Sequence, residues 1–437
     1  MSKPKVTELG NTFNFNWSEE KVTARVERVY QHSRGDISAE ITFRTSIVDP
    51  PALLQHQMVS NLLGPKVRTS LAKECWNRYS QIDEKQWAGI VETCFEYVVT
   101  RSREGDPPIL LVDVEFDEHD DFLLYPLLYR DQVTVLFGKG SSLKSTLSAW
   151  IAHRVALGID GDGENVAILD WESTAADWAR KMREVASGLG DPEPAPNVTY
   201  RRMNQPIAND VESVYAIGGE RNIGLWIIDS GMWACGGRPE EAESAMAMFR
   251  ALRSLGGTVL IIAHQNNDEE TKRPYGNVMW VNAPRSVIQV QKGQFTVNDN
   301  EVVVGLTQRK VNYGRPFPPM GFQATFNTQD EHRYTPGDSV VVSASNPLDE
   351  ADLAANVSMP QRIKHLLRAG RASKSEIIDA MAAGPGKEKV IISTIDRMAR
   401  GGKIERVGDN YTLPAGTFSD GNASFPGNPV IPFPAHG

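Results

Sequence analysis

The chain has 437 residues, a formal net charge of −9 and a hydrophobic fraction of 41%, which leaves room for two or three domains and a large core. No apolar run approaches the length of a membrane span and the start lacks a basic-then-apolar leader pattern, so a soluble cytoplasmic protein with no membrane contact is expected. Cys75, Cys94 and Cys235 are widely spaced, form no metal-ligand cluster and fit a reduced compartment, and the acidic balance means that a nucleic-acid partner would need a local basic patch.

Residues 1–105 read as a small α+β domain. Thr12–Trp17, Val22–Tyr30 and Ile37–Arg44 alternate and are β-rich, with a turn signal at Ser33-Arg34-Gly35, and helical patterns follow around Pro51–Leu63 and Glu84–Arg101. Nothing here carries catalytic spacing, and Trp76, Trp87 and Tyr97 read as core rather than as a base-stacking platform.

Residues 106–326 read as an α/β core, entered through an acidic, proline-containing connector at 103–121. Apolar strands alternate with helical stretches, which implies a mostly parallel sheet with helices on both faces. Its organising stretch is Val133–Trp150. Val133–Phe137 is a short apolar run, Gly138, Lys139, Gly140, Ser141 and Ser142 form a small-residue loop, and Leu143, Lys144, Ser145 and Thr146 lead into Leu147, Trp150, Ile151 and Val155 at helical spacing. Strand, small-residue loop, Lys-Ser and helix is the context of a phosphate-binding P-loop. Small residues let backbone N–H groups approach phosphate oxygens at the start of a helix. Lys144 would reach the β and γ phosphates of ATP, and the Ser145 hydroxyl would hold Mg²⁺. One position departs from the usual pattern: the glycine expected before the lysine is Leu143.

Asn165–Asp170 is a second buried strand, ending in Trp171-Glu172 before a helix at Ala175–Val185. A carboxylate there lies where ligands bind in open α/β sheets, so Glu172 could polarise an attacking water; Asp170 competes at the same strand end, and a helix-start acid is the plain alternative. Residues 187–206 read as a Gly/Pro-rich surface loop. Gly224–Ser230 closes four apolar residues on Asp229, the form of a Walker B strand whose acid supports Mg²⁺. Glu240–Leu255 is an amphipathic helix, and Gly257–Ala263 a buried strand ending in His264-Gln265-Asn266-Asn267, either a γ-phosphate sensor or a capping loop. Residues 268–285 read as irregular, and Ser286–Val290 and Val302–Thr307 resume the sheet. Arg309, Lys310 and Arg315 then follow the last of these strands, as solvated charge on a hairpin or as cations reaching a neighbouring subunit's nucleotide.

Residues 327–357 read as a polar linker and 358–413 as a compact winged-helix unit with helices at Arg362–Leu367, Ser373–Met381 and Lys387–Arg400 and a hairpin turning at Gly408-Asp409. That unit holds eleven Lys and Arg against six Asp and Glu, a positive excess within an acidic chain, which marks a DNA-facing module or else a protein-binding one. The Gly/Pro/Ser-rich tail, residues 414–437, reads as disordered.

Taken together, Gly138–Thr146, Glu172, Asp229, His264 and Lys310 resemble the RecA-like P-loop ATPases, and within them the RepA-type hexameric replicative helicases of plasmids and phages. The similarity covers roughly Leu123 to Phe326. The resemblance implies that Lys144 and Ser145 bind phosphate and Mg²⁺, Glu172 is the catalytic base, Asp229 supports the metal and His264 is the sensor. It also implies cations acting across a subunit interface: Lys310 matches one, the expected arginine two residues later is Asn312, and Arg309 or Arg315 would substitute. The expectation is a Mg²⁺-dependent ATPase with a RecA-like core, an N-terminal α+β domain and a C-terminal winged helix. It would work on DNA as a homo-oligomeric ring or filament, holding ssDNA through the core and duplex through the winged helix, as a phage- or plasmid-encoded replicative-type helicase. A recombinase or helicase-loader ATPase, or an ATP-switched DNA-binding regulator, is the alternative.

Overall fold

The structure, a computed structural model, describes residues 2–9, 12–31, 35–47, 52–104, 108–113, 122–159, 161–266, 272–293, 300–312, 314, 316–330, 335, 337–346, 353, 357–368, 370–381 and 388–414. It divides into two compact units, one of residues 1–120, 205–222 and 250–256, the other of residues 121–204, 223–249 and 257–437. Most of the 103–121 connector, Arg315, Asn267, Lys387 and the tail after Pro414 lie outside the described residues.

Alternation builds the first unit. In β2 (Thr12–Trp17) Phe13, Phe15 and Trp17 are buried while Asn14 and Asn16 take the opposite face. The same parity holds in β3 (Val22–Gln31), through Val22, Ala24 and Val26, and in β4 (Ile37–Thr45), through Ile37, Ala39, Ile41 and Phe43. With β1 (Lys5–Leu9) and β5 (Ala52–Asn61) these strands pair antiparallel in chain order. Helices α1 (Pro65–Arg78) and α2 (Glu84–Glu104) add Leu71, Cys75, Trp87, Ile90, Phe95 and Val98 to the same apolar cluster, with the Trp87 ring 5.8 Å from Phe43. Each such large side chain contributes about 1.5–3 kcal/mol on burial. Trp87 is fully buried, and Trp76 and Tyr97 pack against the cluster. Residues 51–63 differ from the helical expectation. Their apolar spacing suits a helix locally, but pairing with β4 makes β5 a strand, and the helix starts only at Pro65, which cannot donate a backbone hydrogen bond and suits a first turn.

In the second unit β6 (Phe122–Leu124) and β7 (Leu128–Tyr129) form a small hairpin. There follow β8 (Val133–Gly138), α3 (Lys144–Leu157), β9 (Asn165–Asp170), α4 (Ala175–Leu189) and β10 (Val198–Arg202). Next come α5 (Ile207–Arg221, grouped with the first unit), β11 (Ile223–Asp229), α6 (Gly231–Cys235), α7 (Ala242–Ser254), β12 (Thr258–His264) and α8 (Met279–Asn282). Four further strands complete the sheet: β13 (Ser286–Lys292), β14 (Glu301–Val311), β15 (Met320–Asn327) and β16 (Ser339–Ser345). The order is β10-β9-β11-β12-β8-β13-β14-β15-β16. The strands from β10 to β13 run parallel and the rest antiparallel, so the sheet is mixed. β8 is buried along its whole length and β12 along all but its last residue, His264, because both sheet faces are covered, which is why they read as unbroken apolar runs.

Three segments correct the sequence reading. β10 lies within the expected surface loop at 187–206; its backbone pairs with β9 although its side chains are only half buried, which hides its strand pattern. β16 lies within the expected linker at 327–357 and pairs with β15. A Cβ at Gly188 would come within 2.1 Å of the Val340 carbonyl oxygen, so the last turn of α4 can lie on β16 only because that residue is glycine. β14 runs on to Val311, so Arg309 and Lys310 belong to the strand rather than to a turn after it.

C-terminal to β16 the described elements are helices Met359–Arg368, Lys374–Ala380 and Glu388–Arg400, a short strand Ala372–Ser373 and the hairpin Glu405–Val407 with Asn410–Thr412. They enclose their own cluster of Ile363, Leu367, Ile377, Ile391, Ile395 and Tyr411. Ser373 caps the second helix in a reciprocal box with Glu376. Among the described residues no helix is long and apolar enough to cross a membrane.

Candidate functional site

Sheet order assembles the site. β9, β11, β12 and β8 are neighbours, so their carboxyl ends stand side by side: Asp170 pairs in register with Asp229, and His264 with Gly138. Ligands bind at this end of a parallel sheet.

The loop after β8 is held by two backbone requirements. A Cβ at Gly138 would sit 2.4 Å from the Val290 carbonyl oxygen, so only glycine lets β13 approach. Leu143, where glycine is usual, takes the left-handed conformation at φ 62° and ψ 20° directly before α3. A side chain there costs on the order of 1–2 kcal/mol, and the partly buried Leu143 packs against the central core in return. The departure from the motif is thus one of residue type, not of backbone. Lys144 Nζ lies buried under the loop and donates to Gly138 O at 3.1 Å, Lys139 O at 2.8 Å and Ser142 Oγ at 3.3 Å. Burial lowers its pKa, against the pull of Asp229 and Glu172.

The two acids at the end of β9 have different situations. Asp170 is fully buried and accepts hydrogen bonds from the backbone N–H groups of Glu172 at 2.9 Å and Ser173 at 3.0 Å, the Ser173 hydroxyl at 2.8 Å and the Tyr200 hydroxyl at 2.9 Å. Its oxygens are committed to the turn. Glu172 is half-buried; it accepts from the Ser230 hydroxyl, and His264 Nε2 stands 3.8 Å from its Oε1. His264 and then Ser230 lower its pKa, with burial opposing, so the carboxylate stays ionised.

Asp229, at the end of β11, accepts from the Ser145 hydroxyl at 3.3 Å. Burial, with Glu172 and Asp170 nearby, raises its pKa to about 6. The pair offers hard oxygen donors, the chemistry that suits Mg²⁺. Among the described residues no group of three or more His, Cys, Asp or Glu could hold a metal ion. A divalent cation here would therefore rest on Ser145 and Asp229, with phosphate and water completing its shell, as Mg²⁺ usually does.

Beyond His264 a polar chain leaves the site. The Gln265 N–H donates to Gly138 O at 3.0 Å, Gln289 Nε2 donates to Gln265 Oε1 at 3.0 Å, and Arg309 Nε donates to Gln289 Oε1 at 2.8 Å. Arg309 falls at the register shift where Val287 pairs with Lys310 but Ile288 with Gln308, a bulge of the kind that re-aims a side chain. Lys310 instead donates to the carbonyls of Asn282, at 2.9 Å, and Pro284. Burial lowers the pKa of both cations, with Arg285 adding to the effect at Lys310. The structure therefore joins Gly138–Thr146, Glu172, Asp229 and His264 in one site and reaches Arg309 through two glutamines. Ser230 and Gln289 escaped the sequence reading. Gln289 had a signal, a polar residue inside the apolar run Ser286–Val290, and it is 1% exposed.

Residues 111–270 match the family described as AAA domain, a span containing every residue of this site up to Gln265. The match supports an α/β P-loop core that binds nucleotide and acts as an ATPase. No curated protein matches. Among solved structures, a KaiC-like protein from the hyperthermophilic archaeon Pyrococcus horikoshii is similar at 16% identity over 50% of this chain and 93% of that one, with a TM-score of 0.37.

Proposed function

We propose that this chain is an Mg²⁺-dependent ATPase motor of the RecA-like class that works on DNA as a homo-oligomeric ring or filament, with duplex unwinding of the replicative-helicase type as its task. The observation that carries the reading is Glu172, an ionised carboxylate held between Ser230 and His264 beside the Ser145–Asp229 pair. A hydrolase needs a base near the γ phosphate but not on the metal, and Glu172 fits that need because its partners are Ser230 and His264, while Asp229 takes Ser145. Lys144 and the backbone of Gly138–Thr146 would bind the phosphates, and Ser145 and Asp229 would hold Mg²⁺, which neutralises charge on the phosphate oxygens when bound. His264 Nε2 stands 3.8 Å from the base, which fits a sensor of the bound phosphate. Arg309 and Lys310, with Arg315, remain the cations proposed to act on a neighbouring subunit's nucleotide. The positive excess in residues 358–413 favours DNA as the partner of a C-terminal winged helix.

The test is ATP turnover with and without ssDNA, alongside native mass with nucleotide. Turnover that rises with ssDNA, in a multimer, supports the motor, and unwinding of a forked duplex then separates a helicase from a recombinase or loader. ATP bound but scarcely hydrolysed would instead show a DNA-binding switch.

A further inference from the structure

The parity that buries Phe13, Phe15 and Trp17 gives the N-terminal sheet a second, polar face. Strand register sets its side chains in two rows across β1 to β4. One row is Lys5, Asn16, Thr23 and Arg44; the next, two residues along each strand, is Thr7, Asn14, Arg25 and Thr42. At about 4.8 Å between strands and about 3.4 Å per residue, the array spans roughly 14 Å by 7 Å. Both rows line one open hollow of about 580 Å³. Among the described residues that line it the apolar ones, Phe15 and Ala24, are 1% and 2% exposed, so neither offers an apolar anchor. Protein interfaces depend on such anchors. Contacts to a nucleic-acid backbone come instead from Arg, Lys, Thr and Asn side chains, the composition found here. Among the described lining residues Lys5, Arg25 and Arg44 face one acid, Glu27, which pairs with Arg25 at 2.8 Å. The next row along carries Glu27 beside Glu40, the latter paired with Arg28 at 2.9 Å, so these acids lie at the end of the face away from Lys5 and Arg44.

We infer that this hollow binds the phosphodiester backbone of single-stranded nucleic acid, independently of base sequence. An open hollow suits one sugar–phosphate strand, whereas a duplex presents its phosphates on a convex cylinder. The polar rows can bond phosphate and sugar oxygens, and among the described lining residues the one aromatic ring, Phe15, is too buried to stack a base. The site is separate from the nucleotide site and gives the first unit a grip on nucleic acid of its own.

Fluorescence anisotropy of full-length protein with labelled oligothymidine, oligouridine and a matched duplex, without nucleotide and at two salt concentrations, tests this. In a Lys5→Ala/Arg44→Ala variant, single-strand affinity is expected to fall at least tenfold and the log–log salt slope by about 1.4, at 0.7 for each phosphate that is no longer neutralised. Oligothymidine and oligouridine should respond alike, since the hollow holds phosphate, and Arg44→Lys should keep the wild-type slope. Both replaced side chains are exposed, so thermal melting and DNA-free ATP turnover should stay unchanged; loss of turnover in wild type would overturn the ATPase reading and leave this one standing. Unchanged single-strand affinity and slope would overturn the inference. So would a fall as large for the duplex as for the single strands.

Discussion

Asp170 accepts the backbone N–H of Glu172 through its Oδ1 at 2.9 Å, so the first acid of the pair builds the turn that presents the second. Glu172→Gln is therefore expected to keep nucleotide affinity and stability while losing turnover by roughly 10²–10⁴-fold, the usual worth of a general base. Asp170→Asn leaves several buried donors without a charged acceptor and should cost roughly 2–3 kcal/mol of stability, read by urea denaturation. If Asp170→Asn instead lost only turnover, and Glu172→Gln kept it, the base would have been assigned to the wrong acid.

Lys144→Ala should abolish ATP binding, measured with a fluorescent nucleotide, and leave the fold intact, because its three bonds go to loop atoms rather than to the core. Leu143→Gly is the opposite case. The backbone at 143 is already left-handed, so glycine suits it, and nucleotide affinity should hold within a few-fold. A tenfold loss would show that the leucine side chain, not the backbone, shapes the phosphate loop.

How much of this site the sequence carried depends on what each residue needed. Gly138 and Asp229 close apolar runs, Glu172 and Lys144 follow such runs after a short turn or loop, and a strand buried on both faces is legible by composition alone. The left-handed state of Leu143 was not legible, since leucine gives no sign of positive φ. Nor was the Gln265–Gln289–Arg309 chain, which depends on β13 lying between β8 and β14. β5, β10 and β16 were misread for one reason. Their partners β4, β9 and β15 define them, and pairing across a sheet leaves little mark on a strand's own sequence.

Glu212 on α5 is 8% exposed, and burial raises its pKa, with Arg28 only partly opposing. A carboxyl whose folded pKa exceeds the unfolded value stabilises the fold fully below the unfolded value of 4.5 and loses that contribution as pH rises through the folded one. Glu212→Gln should thus raise the urea midpoint at pH 7.5, by an amount that shrinks towards pH 4. A variant less stable than wild type at pH 7.5 would show that the bond to Arg28 outweighs burial.

Cutting the chain after Asn356 removes the three C-terminal helices and their hairpin but leaves β16 and every residue of the nucleotide site. The truncated protein is expected to bind ATP and associate as the full chain does. It should lose much of its duplex affinity, because eleven Lys and Arg go with the segment. Duplex binding by the full chain should weaken steeply with salt, with a log–log slope of about −0.9 per phosphate neutralised. The helix Glu388–Arg400 is the expected reader of the major groove. Its Ile391, Thr394, Ile395 and Met398 are buried, which leaves Lys389, Arg397 and Arg400 for DNA. Gel-shift titrations of both proteins at two salt concentrations decide the matter. Equal duplex affinity would assign the segment to a protein partner and return the grip on DNA to the remainder of the chain.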